Sequence, residues 1–241
     1  MSSPRQDRTR NRLLKLMAQG DFARLAPHFE LVALAKGYVL AEAGSRIEHA
    51  YFLESGIGSI VVTSPEGLEV EAGLFGRDGM APVPLLMDAS TSTNRILIQI
   101  ADDAWRIPRE PLMAAVDASP TLRRLLLRYA QALSVQTSYT ALSNAVHPID
   151  ERLARWILMC DDRMDGRDMA LTHEFMSIML AVRRPSVTTA LHVLEGNGFI
   201  RSERGCITVR NRAALEQFAG DAYGQPEAAY RELIGSMTER A

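Results

Sequence analysis

Cysteine is nearly missing from this chain of 241 residues: it has two, Cys160 and Cys206. They lie far apart and lack metal-ligand spacing, which excludes a disulfide framework and a zinc finger. Long apolar runs are lacking as well. No stretch approaches the roughly 18 consecutive apolar residues of a membrane span, and the opening MSSPRQDRTRNR has charge but no apolar segment of a secretory signal. These absences predict a soluble, cytoplasmic protein with no membrane partner. Net charge is almost absent too, at −2, so any nucleic-acid binding must rest on a local basic patch. No Ser/His/Asp constellation, nucleotide-binding fingerprint or metal-ligand cluster stands out, and the carboxylates are scattered. An enzyme is therefore not expected, and no metal is.

What is present is ordinary globular material. A composition 47% hydrophobic and 23% charged supplies enough apolar side chains for real cores, and the length suits one large domain or two of common size. Residues 10–29 read as short helices, with Leu13, Leu14, Leu16 and Met17, then Phe22, Leu25 and Phe29, at helical spacing. After Glu30 the pattern changes to short runs of Val, Ile, Leu, Tyr and Phe cut by glycines. Such spacing predicts an all-β barrel or roll, with SPEG at 64–67 as a tight turn and further strands at Arg95–Ile100 and Ala104–Ile107. In GLFGRDGMAP, Gly76, Arg77, Asp78 and Gly79 form a candidate loop whose backbone N–H groups cradle an anion. The plainer alternative is turn geometry.

Ser119 and Pro120 then give a helix start, a cap followed by proline at the first helical position. Leu122, Leu126, Tyr129, Leu133, Gln136 and Thr140 recur at spacings of four and three, a heptad seam. A helix of about 25 residues is ~37 Å long, so the seam reads as a dimer interface. The alternative is a core helix lying on the β-domain. Pro148 marks a boundary before another amphipathic helix, DERLARWILMC.

Residues 171–209 form one unit. Thr172 caps a short helix, His173–Leu180, with Glu174 in its first turn. After a tight connection, Pro185 sits in the first turn of a second helix, where Val187, Ala190, Leu191 and Leu194 commit one face to the core. Ser186, Thr188, Thr189 and His192 remain on the other face, preceded by Arg183 and Arg184. Short polar side chains led by arginines suit entry into a major groove. FIRSERGCITV reads as a hairpin turning at Arg204-Gly205, a wing. Between 183 and 212, six arginines (Arg183, Arg184, Arg201, Arg204, Arg210 and Arg212) face two glutamates (Glu195 and Glu203), a local excess of four positive charges. Thr172, His173, Arg201 and Arg204 join the recognition-helix residues as candidate DNA contacts.

From about residue 10 to 215 the chain resembles the Crp/Fnr family of bacterial transcription regulators. KGYVLAEAGSRIEHAYFLESGIGSIVV is similar to the opening strands of that family's sensor domain. HPIDERLARWIL resembles the start of its DNA-binding domain, and RRPSVTTALHVLEGNGFI its recognition helix and exit. The resemblance implies an α+β architecture: a β-roll (cupin- or jelly-roll-like) sensor with N-terminal helices over 1–118, a dimerisation helix and hinge over 119–146, and a winged helix-turn-helix over 147–241. It also implies a homodimer on a near-palindromic duplex DNA operator, with RNA polymerase as a further partner. Arg184 falls where the family often reads guanine. Pro185 replaces a glutamate that in many members accepts from cytosine, so the operator should differ, and Arg183 is assigned to phosphate.

The sensor departs from the cyclic-nucleotide binders, which carry Gly-Glu in the phosphate loop and a nearby Arg-Ser or Arg-Thr. Here the loop is FGRDGM, and Arg95 is followed by Ile96. Thr137-Ser138 matches the dimer-helix pair that meets the base. No cysteine cluster suggests an iron–sulfur centre, and no Cys/His set suggests haem. The expected function is a DNA-binding regulator whose sensor takes a non-standard small ligand or none. The alternatives are cyclic-nucleotide response through Arg77 or Arg95, or a protein-interaction scaffold that no longer binds DNA.

Overall fold

The computed structural model describes residues 4–164, 168–203 and 205–237. They cluster into two compact units, 1–60 with 74–132 and 61–73 with 133–241. The first unit opens with two short helices, α1 (Arg12–Leu16) and α2 (Gln19–Leu25). Asn11 is fully buried and does two jobs. Its side-chain oxygen caps α1 by accepting from the N–H groups of Leu13 and Leu14, and its amide donates to the carbonyls of Leu53, at 3.0 Å, and Gly79, at 2.8 Å.

Seven strands follow: β1 (Glu30–Leu34), β2 (Val39–Ala41), β3 (His49–Leu53), β4 (Ile57–Thr63), β5 (Glu69–Phe75), β6 (Arg95–Ile100) and β7 (Asp102–Pro108). They form two sheets, ordered β1-β7-β3 and β2-β6-β4-β5. Leu34, Tyr51, Leu53 and Ala104 from one sheet share a core with Ala41, Phe75, Ile96 and Ile98 from the other. Two sheets that bury their inner faces against each other make a roll. Register in the first sheet is antiparallel with Glu30 opposite Arg106, and those two side chains form an ion pair at 2.5 Å. The turn expected at 64–67 is there, with Gly67 at φ +83°, where a side chain would be strained.

Helix α3 (Arg109–Ala118) leads into α4 (Pro120–Val146), whose first turn is capped by the Ser119 hydroxyl accepting from Leu122 N–H at 3.2 Å. The heptad seam expected to face a partner faces inward instead. Leu122, Leu126, Tyr129, Leu133 and Gln136 are all buried within this chain, and Thr140 accepts from the Arg155 guanidinium at 3.1 Å. Heptad spacing records that a face is covered, not by what. The opposite face carries Leu127, Gln131, Ser134, Ser138, Ala141 and Ala145, again spaced by four and three, and all are exposed.

The second unit is helical: α5 (Ile149–Met164), α6 (His173–Met179), α7 (Arg184–Gly196), α8 (Arg212–Ala219) and α9 (Gln225–Leu233). A three-stranded sheet, β8 (Met169–Ala170), β9 (Ile200–Glu203) and β10 (Cys206–Val209), runs in the order β8-β10-β9. The hairpin segment 61–73 belongs to this unit. Buried Glu71 accepts from the Trp156 indole N–H at 2.7 Å, and Gly73 packs against Leu133, Gln136 and Thr137. Among the described residues no helix is long and apolar enough to cross a membrane.

A buried ionic knot joins α5 to the C-terminal helices. The Arg212 guanidinium donates to Asp161 and Asp162, both at 2.6 Å, to Glu216 at 2.8 Å and to the Tyr223 hydroxyl at 2.7 Å. Tyr223 in turn donates to Asp162 at 2.7 Å. Burial pushes the Asp162 carboxyl up to about 6, against the opposing pull of Arg212 and Arg163. Removing one partner from such a cluster strands the other charges. Arg212→Met is expected to lower stability by about 3–5 kcal/mol at neutral pH, in urea unfolding. A carboxyl whose pKa is raised on folding binds its proton more tightly in the folded chain. The stability drawn from Asp162 therefore falls as pH climbs from about 4 to about 6, and Asp162→Asn should flatten that slope.

Candidate nucleic-acid interface

The outward face of α7 is built by what the helix buries. Val187, Ala190, Leu191 and Leu194 are sealed in the core, which turns Arg184, Pro185, Thr189 and His192 to solvent and leaves Ser186 and Thr188 half-exposed. Arg183 is the N-cap residue in extended backbone, and Arg184 opens the helix ahead of Pro185. The Thr188 and Thr189 hydroxyls donate back to the carbonyls of Arg184 and Pro185, at 3.2 and 3.1 Å.

Helix α6 sets the entry to α7. Thr172 caps it, its hydroxyl accepting from Phe175 N–H at 3.3 Å. Met176, Met179 and Leu180 anchor it in the core. The turn to α7 passes through Ala181 at φ +51°. Two polar links tie the first turn of α6 to α7: His173 Nδ1 to Thr188 Oγ1 at 3.1 Å, and Glu174 Oε1 to Arg184 Nη2 at 2.5 Å. Neither pairing was visible in the sequence, since nothing local links positions ten and fifteen apart.

The wing forms as expected, β9 pairing antiparallel with β10. Gly205 takes φ +77° at its turn, and Arg204 lies outside the described residues. A third strand, β8, adds Met169 and Ala170 to the other edge of β10. Arg201 is exposed and pairs with Glu203 at 2.7 Å. The basic patch is smaller than the sequence count implied, because Arg212 is absorbed by Asp161, Asp162 and Glu216. Arg183, Arg184, Arg201 and Arg210 are exposed.

The sequence profile of the Crp-like helix-turn-helix domain matches residues 151–218, which span α5, α6, α7, the wing and most of α8. Residues 151–218 are thus a Crp-like helix-turn-helix domain, and the chain is a DNA-binding transcription regulator. Solved structures of similar fold span most of it. FixK2 from Bradyrhizobium japonicum aligns over 79% of this chain and 96% of its own, at 17% identity and TM-score 0.67. The Crp/Fnr-family transcriptional regulator TTHA1359 from Thermus thermophilus aligns over 79% and 98%, at 18% identity and TM-score 0.63. The c-di-GMP responsive global regulator CLP from Xanthomonas campestris aligns over 80% and 99%, at 16% identity and TM-score 0.62. No curated protein matches the sequence.

In this regulator the candidate anion loop is folded inward. Gly76, Arg77, Asp78 and Gly79 are all buried. The Gly76 N–H donates to the Asp78 carboxylate at 2.7 Å, so the loop's own side chain sits on that donor. The Arg77 carbonyl accepts from Arg12 N–H at 2.7 Å. Gly79 packs so closely against the Tyr129 phenol that a Cβ there would clash with its hydroxyl and ring. Arg95, at the start of β6, pairs with Glu42 at 3.5 Å. Thr137 and Ser138 donate back to the carbonyls of Leu133 and Ser134, each at 3.0 Å. Among the described residues no group of three or more His, Cys, Asp or Glu side chains is arranged to hold a metal.

Because α6 is only two turns long, its cap carries much of its order. Thr172→Ala is expected to destabilise the regulator by about 0.5–2 kcal/mol, read by thermal unfolding, and to weaken DNA binding measurably. A variant with unchanged stability would show that core packing alone holds α6.

Proposed function

We propose that this regulator binds a near-palindromic duplex operator as a homodimer, with α7 of each protomer in the major groove. The observation that carries the reading is the face of α7. Arg184, Ser186, Thr188, Thr189 and His192 are short or flexible polar groups on one side of a helix whose other side is buried. Arginine matches guanine O6 and N7 with two parallel N–H groups, and hydroxyls reach either base edges or phosphates. Arg183 and Arg201 serve the phosphates on this reading, and Thr172 and His173, at the start of α6, are further candidate contacts. The division into a roll over 1–118, a long helix and hinge over 119–146 and a winged domain over 147–241 assigns sensing, pairing and DNA contact in turn. Cytoplasmic location and contact with RNA polymerase follow from the same role.

Two-fold pairing is assigned to the exposed seam of α4, Leu127, Gln131, Ser134, Ser138, Ala141 and Ala145, in place of the buried one. The small side chains from Ser134 to Ala145 let two helices approach closely. The pair would set two α7 helices about 34 Å apart, one turn of duplex.

The sensor roll is assigned a ligand other than a cyclic nucleotide, or none. The Asp78 carboxylate on Gly76 N–H repels the phosphate that such a ligand would bring to the loop. Cyclic AMP or cyclic GMP at millimolar concentration is expected to leave the melting temperature unchanged. A saturable rise would restore the nucleotide reading.

Selection of bound fragments from a genomic DNA pool tests the function directly, and a near-palindromic consensus is the expected result. No enrichment at low salt would leave a scaffold that no longer binds DNA. On the selected site, Arg184→Ala should cost roughly 1–3 kcal/mol and relax preference at one base pair. Uniform weakening on all sequences would reduce Arg184 to a phosphate contact.

A further inference from the structure

We propose that Glu174 is a specificity-determining residue of the DNA interface, its carboxylate holding the Arg184 guanidinium in the orientation from which it reads a guanine. The proposal rests on the reading of Arg184 as the base contact. Arg184 is the first residue of α7, and its side chain is 61% exposed. A free side chain of this kind samples many rotamers, and ordering it on a base opposes binding. Glu174 lies across the α6–α7 turn, and its Oε1 meets Arg184 Nη2 at 2.5 Å. A guanidinium carries five N–H donors. One goes to the carboxylate, and guanine takes two more as a parallel fork.

The first turn of α7 itself has no acidic side chain, and Pro185 beside Arg184 offers no side-chain acceptor. The carboxylate that orients Arg184 must therefore come from another element. Its carrier is well fixed: Thr172 caps α6 two residues before Glu174, and His173 holds Thr188, one turn along α7 from Arg184. Two consecutive residues of α6 thus engage two residues on one stripe of α7. As an exposed ion pair this contact adds little to stability. Its location at the groove-facing tip of α7 is what gives it a role.

A carboxylate at that point has an opposing effect on affinity. It repels the phosphates of any duplex, whatever the sequence. Orientation of Arg184 and charge repulsion therefore move two observables in opposite directions, and Glu174→Gln separates them. Gln keeps the length but removes the charge, and with it the charge-assisted bond that holds the guanidinium in one orientation. Binding of the full-length protein would be measured at one fixed salt concentration on three duplexes: the selected operator, the operator with the Arg184-facing G·C pair changed, and an unrelated sequence. Wild type, Glu174→Gln, Arg184→Ala and the double variant would be compared.

The expected result is tighter binding of Glu174→Gln to unrelated DNA, together with about a tenfold smaller preference for the G·C pair. The double variant should match Arg184→Ala in that preference. If Glu174→Gln binds every duplex more tightly with its preference intact, Glu174 acts by charge alone and the proposal is overturned. If Arg184→Ala keeps the wild-type preference, the base-contact reading fails first, and the role of Glu174 falls with it. Equal melting temperatures for wild type and Glu174→Gln confirm that the comparison is between folded proteins.

Discussion

Everything on the proposed DNA-facing side depends on one packing constraint, the burial of Val187, Ala190, Leu191 and Leu194 along a single stripe of α7. Four apolar side chains at that spacing leave the helix one way to lie against α5 and α6. Rotating it by one residue would carry about 100° of arc and expose a leucine for each threonine buried. The outward arginines and hydroxyls are therefore placed by the leucines behind them. Cap, turn and wing then refine a position that the core has already chosen.

Much of this was legible beforehand, and the reasons are local. Ser119 and Pro120, or Thr172 and the residues after it, satisfy or remove backbone donors within three positions, so their sequence order is enough to place a helix start. The same holds for Gly67 and Gly205, whose turns need positive φ. What stayed hidden was the partner of each surface. The seam from Leu122 to Gln136 announced a covered face, and the cover is the chain itself. Arg212 counted as a free charge until Asp161 and Asp162, fifty residues earlier, closed on it. Strand β8 has two residues, too few for any period to register. The C-terminal helices did carry signals, Asn211 as a cap and Pro226 in a first turn, but no motif drew attention to them.

The electrostatics of the winged domain are more tempered than its arginine content suggests. Arg212 is spent inside the fold, while Arg184 and Arg201 each carry a carboxylate escort, Glu174 and Glu203. On the proposed interface, such pairing gives up some long-range attraction for DNA. In exchange it discourages binding to arbitrary sequence, where the phosphate charge supplies nearly all the affinity.

The inward-turned loop at Gly76 has a kinetic and thermodynamic meaning of its own. Asp78 competes for the Gly76 N–H as a tethered rival, two residues away, so its binding is an intramolecular event that needs no encounter from solution. Any outside anion must first evict an occupant that cannot diffuse off. The roll in this sense holds its own side chain on that donor, and a substitution at position 78 is the change that would free it.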